Sequence, residues 1–314
     1  MKPTVVSEYD GTQGGRGVSP YLLVLGAALL WSTGGLFIKA STMTAVELSS
    51  WRSLFAAVTV MLLTRREGFR INRVTALASV LYAALLLLFV VATKLTTAAN
   101  AIFLQYTAPV YILLLEPLLY REKYRARDFA VIACCVAGMS LFFVGQLRPE
   151  DVQGNLAALA SGLCFAGFYL LLRHPRAREV NRASAVIYGN LLLVVATLPA
   201  LIAGFKNLDD ANFAVFIYFN LVVTNLAIVA YLGVFQIGVA YALMTLGIAR
   251  GIKSLDASII GYVEPVLNPV WVFLFLRERP SNYALIGGAI IIAAVFTHTI
   301  LKAGVQSSKF KVQS

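Results

Sequence analysis

Residues 262–279 read YVEPVLNPVWVFLFLRER, and residues 106–123 read YTAPVYILLLEPLLYREK. The two stretches align without a gap at a constant offset of 156: Tyr106, Pro109, Val110, Leu118, Arg121 and Glu122 recur as Tyr262, Pro265, Val266, Leu274, Arg277 and Glu278. Biased composition readily matches Leu with Leu or Val with Val. It does not readily bring a proline and an Arg-Glu pair into register. The chain is therefore duplicated, and each copy ends an apolar segment on Arg-Glu.

The surrounding composition says what solvent those segments meet. Of 314 residues, 59% are hydrophobic and only 13% are charged, against about 25% charged in an average soluble domain. Apolar runs of about 20 residues follow one another with short charged connections, the pattern of a polytopic helical membrane protein. A transmembrane barrel is excluded because runs such as LLLLFVVA (residues 85–92) do not alternate with period two. Ten spans are expected, near 20–39, 45–64, 74–93, 97–120, 128–146, 154–172, 183–204, 231–249, 255–276 and 283–301. Residues 1–19 form a polar, Gly-rich N-terminus expected to be disordered and cytoplasmic, and 302–314 a cytoplasmic tail.

The net charge of +11 is explained by position, because the basic residues flank the spans. With ten spans and both termini inside, Lys and Arg divide 19 against 6 in favour of the cytoplasmic side. An eleventh span at 213–230 lowers the division to 16 against 9, so residues 206–230 are read as an insertion: an external or interfacial excursion, or an extension of the eighth helix. Cys134, Cys135 and Cys164 lie in apolar runs with no His or Cys at metal-ligand spacing, and act as small hydrophobic fillers. No metal and no cofactor is expected.

The repeat fixes the architecture further. Arg121-Glu122 follows the fourth span and Arg277-Glu278 the ninth, so each half, 20–146 and 154–301, holds five helices. An odd number inserts the second half upside down, giving an all-α membrane protein built as two five-helix inverted-topology repeats. Two such halves can exchange conformations and open a central site to alternate faces. Proline suits this design, since it removes a backbone hydrogen bond and leaves carbonyls that protein or a water-filled cavity must satisfy. Pro109, Pro265 and Pro269 are thus kink candidates, with Glu116 beside Pro117 as a candidate gate or brace.

Two five-helix halves, each with a mid-helix proline in its fourth helix and Arg-Glu at that helix's end, resemble EamA-type members of the drug/metabolite transporter superfamily. The similarity spans about 20–301. Within that superfamily the chain resembles YddG-type amino-acid exporters of bacterial inner membranes. That resemblance implies a ten-helix fold, a midplane cavity and export of aromatic and other neutral amino acids. Ala108 stands where the second half has Glu264, so a fully symmetric coupling scheme is not expected.

Candidate site residues are the polar and aromatic members of the spans. Glu264 is an ionisable group inside the ninth span, costing about 2.5–3.5 kcal/mol at a helix centre, and so should face the bundle interior. It suits a substrate ammonium or a coupled proton, or else it braces the kink. Asn268 and Trp271 share its helical face. Gln105 and Tyr106 are the corresponding polar residues of the fourth span, although interhelical bonding also explains Gln105. Tyr82, Tyr188, Tyr241 and Trp31 are in-span aromatics that line a cavity or simply pack. Arg52 meets a substrate carboxylate or snorkels to the interface.

Other functions fit less well. An intramembrane enzyme would need a nucleophile with a base or a metal cluster, and neither H-E-x-x-H nor G-x-S-x-G occurs. Nucleotide sugars and sugar phosphates would call for several cations within the spans, where Arg52 stands alone. No G-x-x-x-x-G-K-[ST] is present, so transport relies on a substrate or ion gradient. The expected partners are a small-molecule substrate and the lipid bilayer, with monomer and homodimer both open, and not nucleic acid.

Overall fold

A computed structural model describes residues 18–120, 126–141, 144, 149–181, 183–206, 222–250 and 260–312. The described chain is helical throughout. We number the helices α1 (Pro20–Ser32 followed by Gly34–Ala40), α2 (Ala45–Thr64), α3 (Arg73–Leu95), α4 (Ala98–Gln105 followed by Ala108–Tyr120) and α5 (Ala126–Leu141). The second half supplies α6 (Pro149–Arg173), α7 (Ala183–Lys206), α8 (Val222–Ala230, Tyr231–Val239 and Ala240–Ala249), α9 (Val263–Leu276) and α10 (Asn282–Val312). Seven of these are long and apolar enough to cross a bilayer, and shorter apolar stretches lie in α5, α9 and α10. The protein is a multi-pass membrane protein.

Local sequence sets several helix starts. Thr44 and Glu47 form a capping box at α2, Asn72 and Thr75 one at α3, and Thr97 accepts from the Asn100 N–H at α4, each cap contributing about 1 kcal/mol.

Two boundaries differ from the sequence expectation. The eighth span does not begin at 231: Val222–Ala230 is helical and runs into Tyr231, so this part of the presumed insertion 206–230 is an extension of the eighth helix. The apolar run that raised the possibility of an extra span thus continues into α8, while residues 207–221 lie outside the described chain. The last helix continues through 302 to Val312 rather than ending in a tail at 301.

Helix pairing carries the duplication into three dimensions. α3 packs on α6 and α7, and α8 packs correspondingly on α1 and α2; α4 packs on α6 as α9 does on α1. The pairs α2·α7, α5·α10 and α4·α9 map onto themselves when each helix is exchanged for the one five places on. Lipid is as apolar as these side chains, so packing fit and polar contacts between helices hold the bundle. Ile38, Val90, Ile102, Leu104, Leu232 and Ile291 build the larger core, and Val60, Phe168, Val186 and Ile187 a second one among α2, α6 and α7. Asn100 donates to Asn155 at 3.1 Å, and Gln105 donates to Ser161 at 2.8 Å; such bonds average about 0.6 kcal/mol in membranes.

Candidate functional site: the meeting of two helix breaks

The two prolines that match in sequence do the same thing in space. α4 breaks at Tyr106–Thr107, two residues before Pro109, and α9 follows a turn at Tyr262, three residues before Pro265. Proline lacks the N–H that would bond four residues back, so Pro109 frees the Gln105 carbonyl and Pro265 frees that of Gly261. The two freed carbonyls meet different surroundings. The Gln105 carbonyl packs against Gly162 of α6, where an added Cβ would lie only 2.9 Å away. The Gly261 carbonyl receives the Tyr106 hydroxyl at 3.1 Å.

The breaks also touch each other. The rings of Tyr106 and Tyr262, equivalent by the offset of 156, lie 6.1 Å apart. The Tyr106 hydroxyl is 2.8 Å from Glu264 Oε2 as well, so its single hydrogen is shared between a carboxylate and a carbonyl. Glu264 sits in the first turn of α9, where the helix dipole favours negative charge. It is half-buried, and the only ion pair among the described residues is Lys39–Glu278.

Other candidates fall into two groups. Arg52 is 1% exposed, donates from Nη2 to the Leu86 carbonyl at 3.0 Å and leaves Nε without a partner. Tyr82 lies within electrostatic reach of Arg52, with the Asn190 amide beside it, and packs on Phe168 at 5.0 Å. Gln105 instead joins α4 to Ser161 of α6, whose hydroxyl donates to the Leu85 carbonyl of α3, a structural tie.

Asn268 and Trp271 face α1. The Trp271 indole donates to Ser32 at 3.0 Å, while Asn268, 1% exposed with neither amide atom partnered, presses on Gly35. A Cβ at Gly35 would lie 2.1 Å from Asn268 Oδ1, which is why the break in α1 at Thr33 is followed by glycines. Pro269 lies inside α9. Tyr241 packs against the α2–α6–α7 core, and Trp31 is half-buried just before the α1 break. Tyr188 is not part of the group around Glu264: its hydroxyl donates to the Phe69 carbonyl at 2.9 Å in an exposed connection. The Glu116 side chain lies outside the described residues.

One residue escaped the sequence reading. Tyr169 of α6 is 50% exposed, lies within electrostatic reach of Glu264, Tyr106 and Tyr82, and packs on Phe165 at 4.8 Å. Its position in FAGFYLLL (residues 165–172) gives no signal, since apolar residues surround it on every face of the helix. Pairwise electrostatic proximity thus connects the Glu264 carboxylate to Tyr169, Tyr169 to Tyr82, and Tyr82 to the Arg52 guanidinium.

Comparison with known proteins agrees with this architecture. A solved crystal structure superposes with a TM-score of 0.60 at 20% identity, covering 91% of this chain and 98% of the other. The chain is 25% identical over 300 residues to an uncharacterized transporter of Archaeoglobus fulgidus, covering 89% of this chain and 96% of that one. It is 23% identical over 295 residues to the pseudopaline exporter CntI of Pseudomonas aeruginosa, covering 91% and 98%. Over 200 residues it is 24% identical to a probable terminal-alkyne amino-acid exporter of Streptantibioticus cattleyicolor, covering 63% of each chain. The EamA-like transporter family model matches twice, at residues 18–144 and 152–300. Carrying one copy of the family's unit in each half, this chain belongs to the EamA-like transporter family.

Proposed function

We propose that the chain exports amino acids from the cytoplasm, aromatic and other neutral ones foremost, by alternating access around the meeting point of the two breaks. The observation that carries this reading is a carboxylate, Glu264, and a guanidinium, Arg52, each without an ion pair among the described residues and each with a tyrosine in electrostatic reach. Glu264 is placed to receive an ammonium, and the tyrosine faces beside it add cation–π attraction. Arg52 lacks an ion partner among the described residues and would receive the carboxylate, with the substrate side chain among the rings of Tyr82, Tyr169 and Tyr106. A zwitterion neutralises both ends at once, whereas a phosphate ester would leave Glu264 facing like charge.

The names of two relatives, an amino-acid exporter and a pseudopaline exporter, support this cargo class. The exchange-symmetric helix pairing supports two inverted halves that rock about a shared site. The basic connections support an orientation with both termini inside, and the Pseudomonas exporter supports a bacterial cytoplasmic membrane.

Counterflow in liposomes, with labelled amino acids and sugar phosphates offered side by side, tests the cargo. Saturable exchange of phenylalanine and methionine without exchange of sugar phosphates is expected. Exchange of sugar phosphates alone, or of no amino acid, would overturn the reading.

A further inference from the structure

A second polar cluster lies far from Glu264, at the face where α1, α3 and α9 end and α4 begins. Glu278 Oε2 pairs with Lys39 Nζ of α1 at 2.9 Å, and Glu278 Oε1 accepts the Ala98 N–H of α4 at 2.8 Å. Lys39 also donates to the Thr96 carbonyl at 2.6 Å, and Lys94 donates to the Ser41 carbonyl at 2.5 Å. Beside them Asn225 of α8 accepts from the Ser41 hydroxyl at 2.9 Å and the Thr42 N–H at 3.2 Å, and donates to Thr42 Oγ1 at 2.8 Å.

Each bond from Glu278 or Asn225 crosses between the halves. Lys39, Thr42 and Ala98 belong to the first half, Glu278 and Asn225 to the second. At the opposite face the contacts between halves all end on carbonyls, from the Asn72 and Asn181 amides to Arg176 and Gly68 and from the Arg250 guanidinium to Val18, without an ion pair among the described residues. Among the described residues, an ion pair therefore ties the halves at one face only.

The backbone beside Glu278 is independently unusual. Arg277 has φ 59°, the only non-glycine residue at positive φ among the described residues. A side chain disfavours that left-handed conformation, and it persists only where surrounding contacts enforce it. It ends α9 and turns Glu278 toward Lys39 and Ala98. Strain of this kind is released if the contacts let go.

We infer that Glu278 is the latch of a gate at this face, holding α1, α4 and α9 together when the path is closed there and releasing them when it opens. The closed state depends on a single carboxylate: without it, Lys39 loses its ion pair and keeps Lys94 as a like-charged neighbour. The inference rests on alternating access but not on which cargo is carried.

The test uses the full chain with Cys134, Cys135 and Cys164 replaced, a single reporter cysteine at Tyr169→Cys, and a membrane-impermeant thiol reagent. A separate Arg279→Cys marker identifies vesicles exposing the latch face. Glu278→Gln should raise the reporter's initial labelling rate from that face about fivefold, as expected for loss of one partly exposed ion pair, and lower it from the other. Lys39→Met should shift both rates in the same directions. Unchanged rates in both folded variants would overturn the inference, as would failure of both to fold, which would assign the contact to assembly. Labelling needs no substrate, so a negative counterflow result with amino acids leaves this result standing.

Discussion

Tyr106→Phe isolates the contact on which the site depends. The ring is retained, and with it the packing at 6.1 Å from Tyr262 and the shape of the break. What disappears is one hydroxyl facing the Glu264 carboxylate at 2.8 Å and the Gly261 carbonyl at 3.1 Å. A hydrogen bond to a charged group contributes about 1.5–3 kcal/mol, and a buried carbonyl left unpaired adds a cost of about 1–3 kcal/mol unless water enters. Water access to a half-buried site offsets part of this, so a net loss of about 1.5–3 kcal/mol is expected, equivalent to roughly 10- to 150-fold in an equilibrium. Tyr188→Phe is the control, deleting the same hydroxyl from an exposed bond to Phe69. Counterflow and thermal unfolding in detergent should be run on both. Tyr106→Phe should lower exchange at least tenfold and melt earlier, while Tyr188→Phe should change exchange less than twofold. Equal effects from the two variants would refute the assignment of Tyr106 to the transport path.

Further outcomes follow from neighbouring contacts. A proton on Glu264 lets the carboxyl donate to Tyr106 while Tyr106 donates to Gly261, satisfying both contacts; the titratable groups around it are Tyr106, Tyr169 and Tyr262. Wild-type exchange should therefore vary with pH and Glu264→Gln exchange should not, which pH-jump counterflow will show; an unchanged pH profile would make Glu264 a brace. Arg52→Met should fold as well as the parent, because it removes a buried charge with no ion partner among the described residues, yet lose affinity for amino acids by raising the concentration for half-maximal exchange at least tenfold. Gly35→Ala drives a methyl to 2.1 Å from Asn268 Oδ1 and should cost about 1–3 kcal/mol in thermal unfolding. The double variant Gly35→Ala with Asn268→Ala should recover most of that loss.

The architecture was largely readable from residue pattern. Span length, charge placement and the offset of 156 led to ten helices and to breaks before Pro109 and Pro265, because a missing N–H disrupts a helix in any solvent. Which side of each helix faces the path was not readable. In lipid both faces of a helix are apolar, so the 3.6-residue period that marks a buried face in soluble proteins carries little information. Tyr169 was missed for that reason, and the bond from the Trp271 indole to Ser32 of α1 was equally invisible. The nine residues Tyr231–Val239, wound as a π-helix, were equally hidden, since YLGVFQIGV reads as any apolar turn. The latch cluster lay in plain view as Lys39, Lys94 and Glu278, but distant ends of five helices meet there, and only the folded chain brings them together.

The mechanism depends on two halves of five spans each, and therefore on both ends of the chain emerging at one face. Single cysteines added beside Met1 and Ser314, challenged with an impermeant thiol reagent in sealed vesicles of known orientation, measure this directly. Protection of both in right-side-out vesicles, and reaction of both in inverted ones, is the predicted result. Labelling of one end from each side would contradict the ten-span duplication and the exchange of halves built on it.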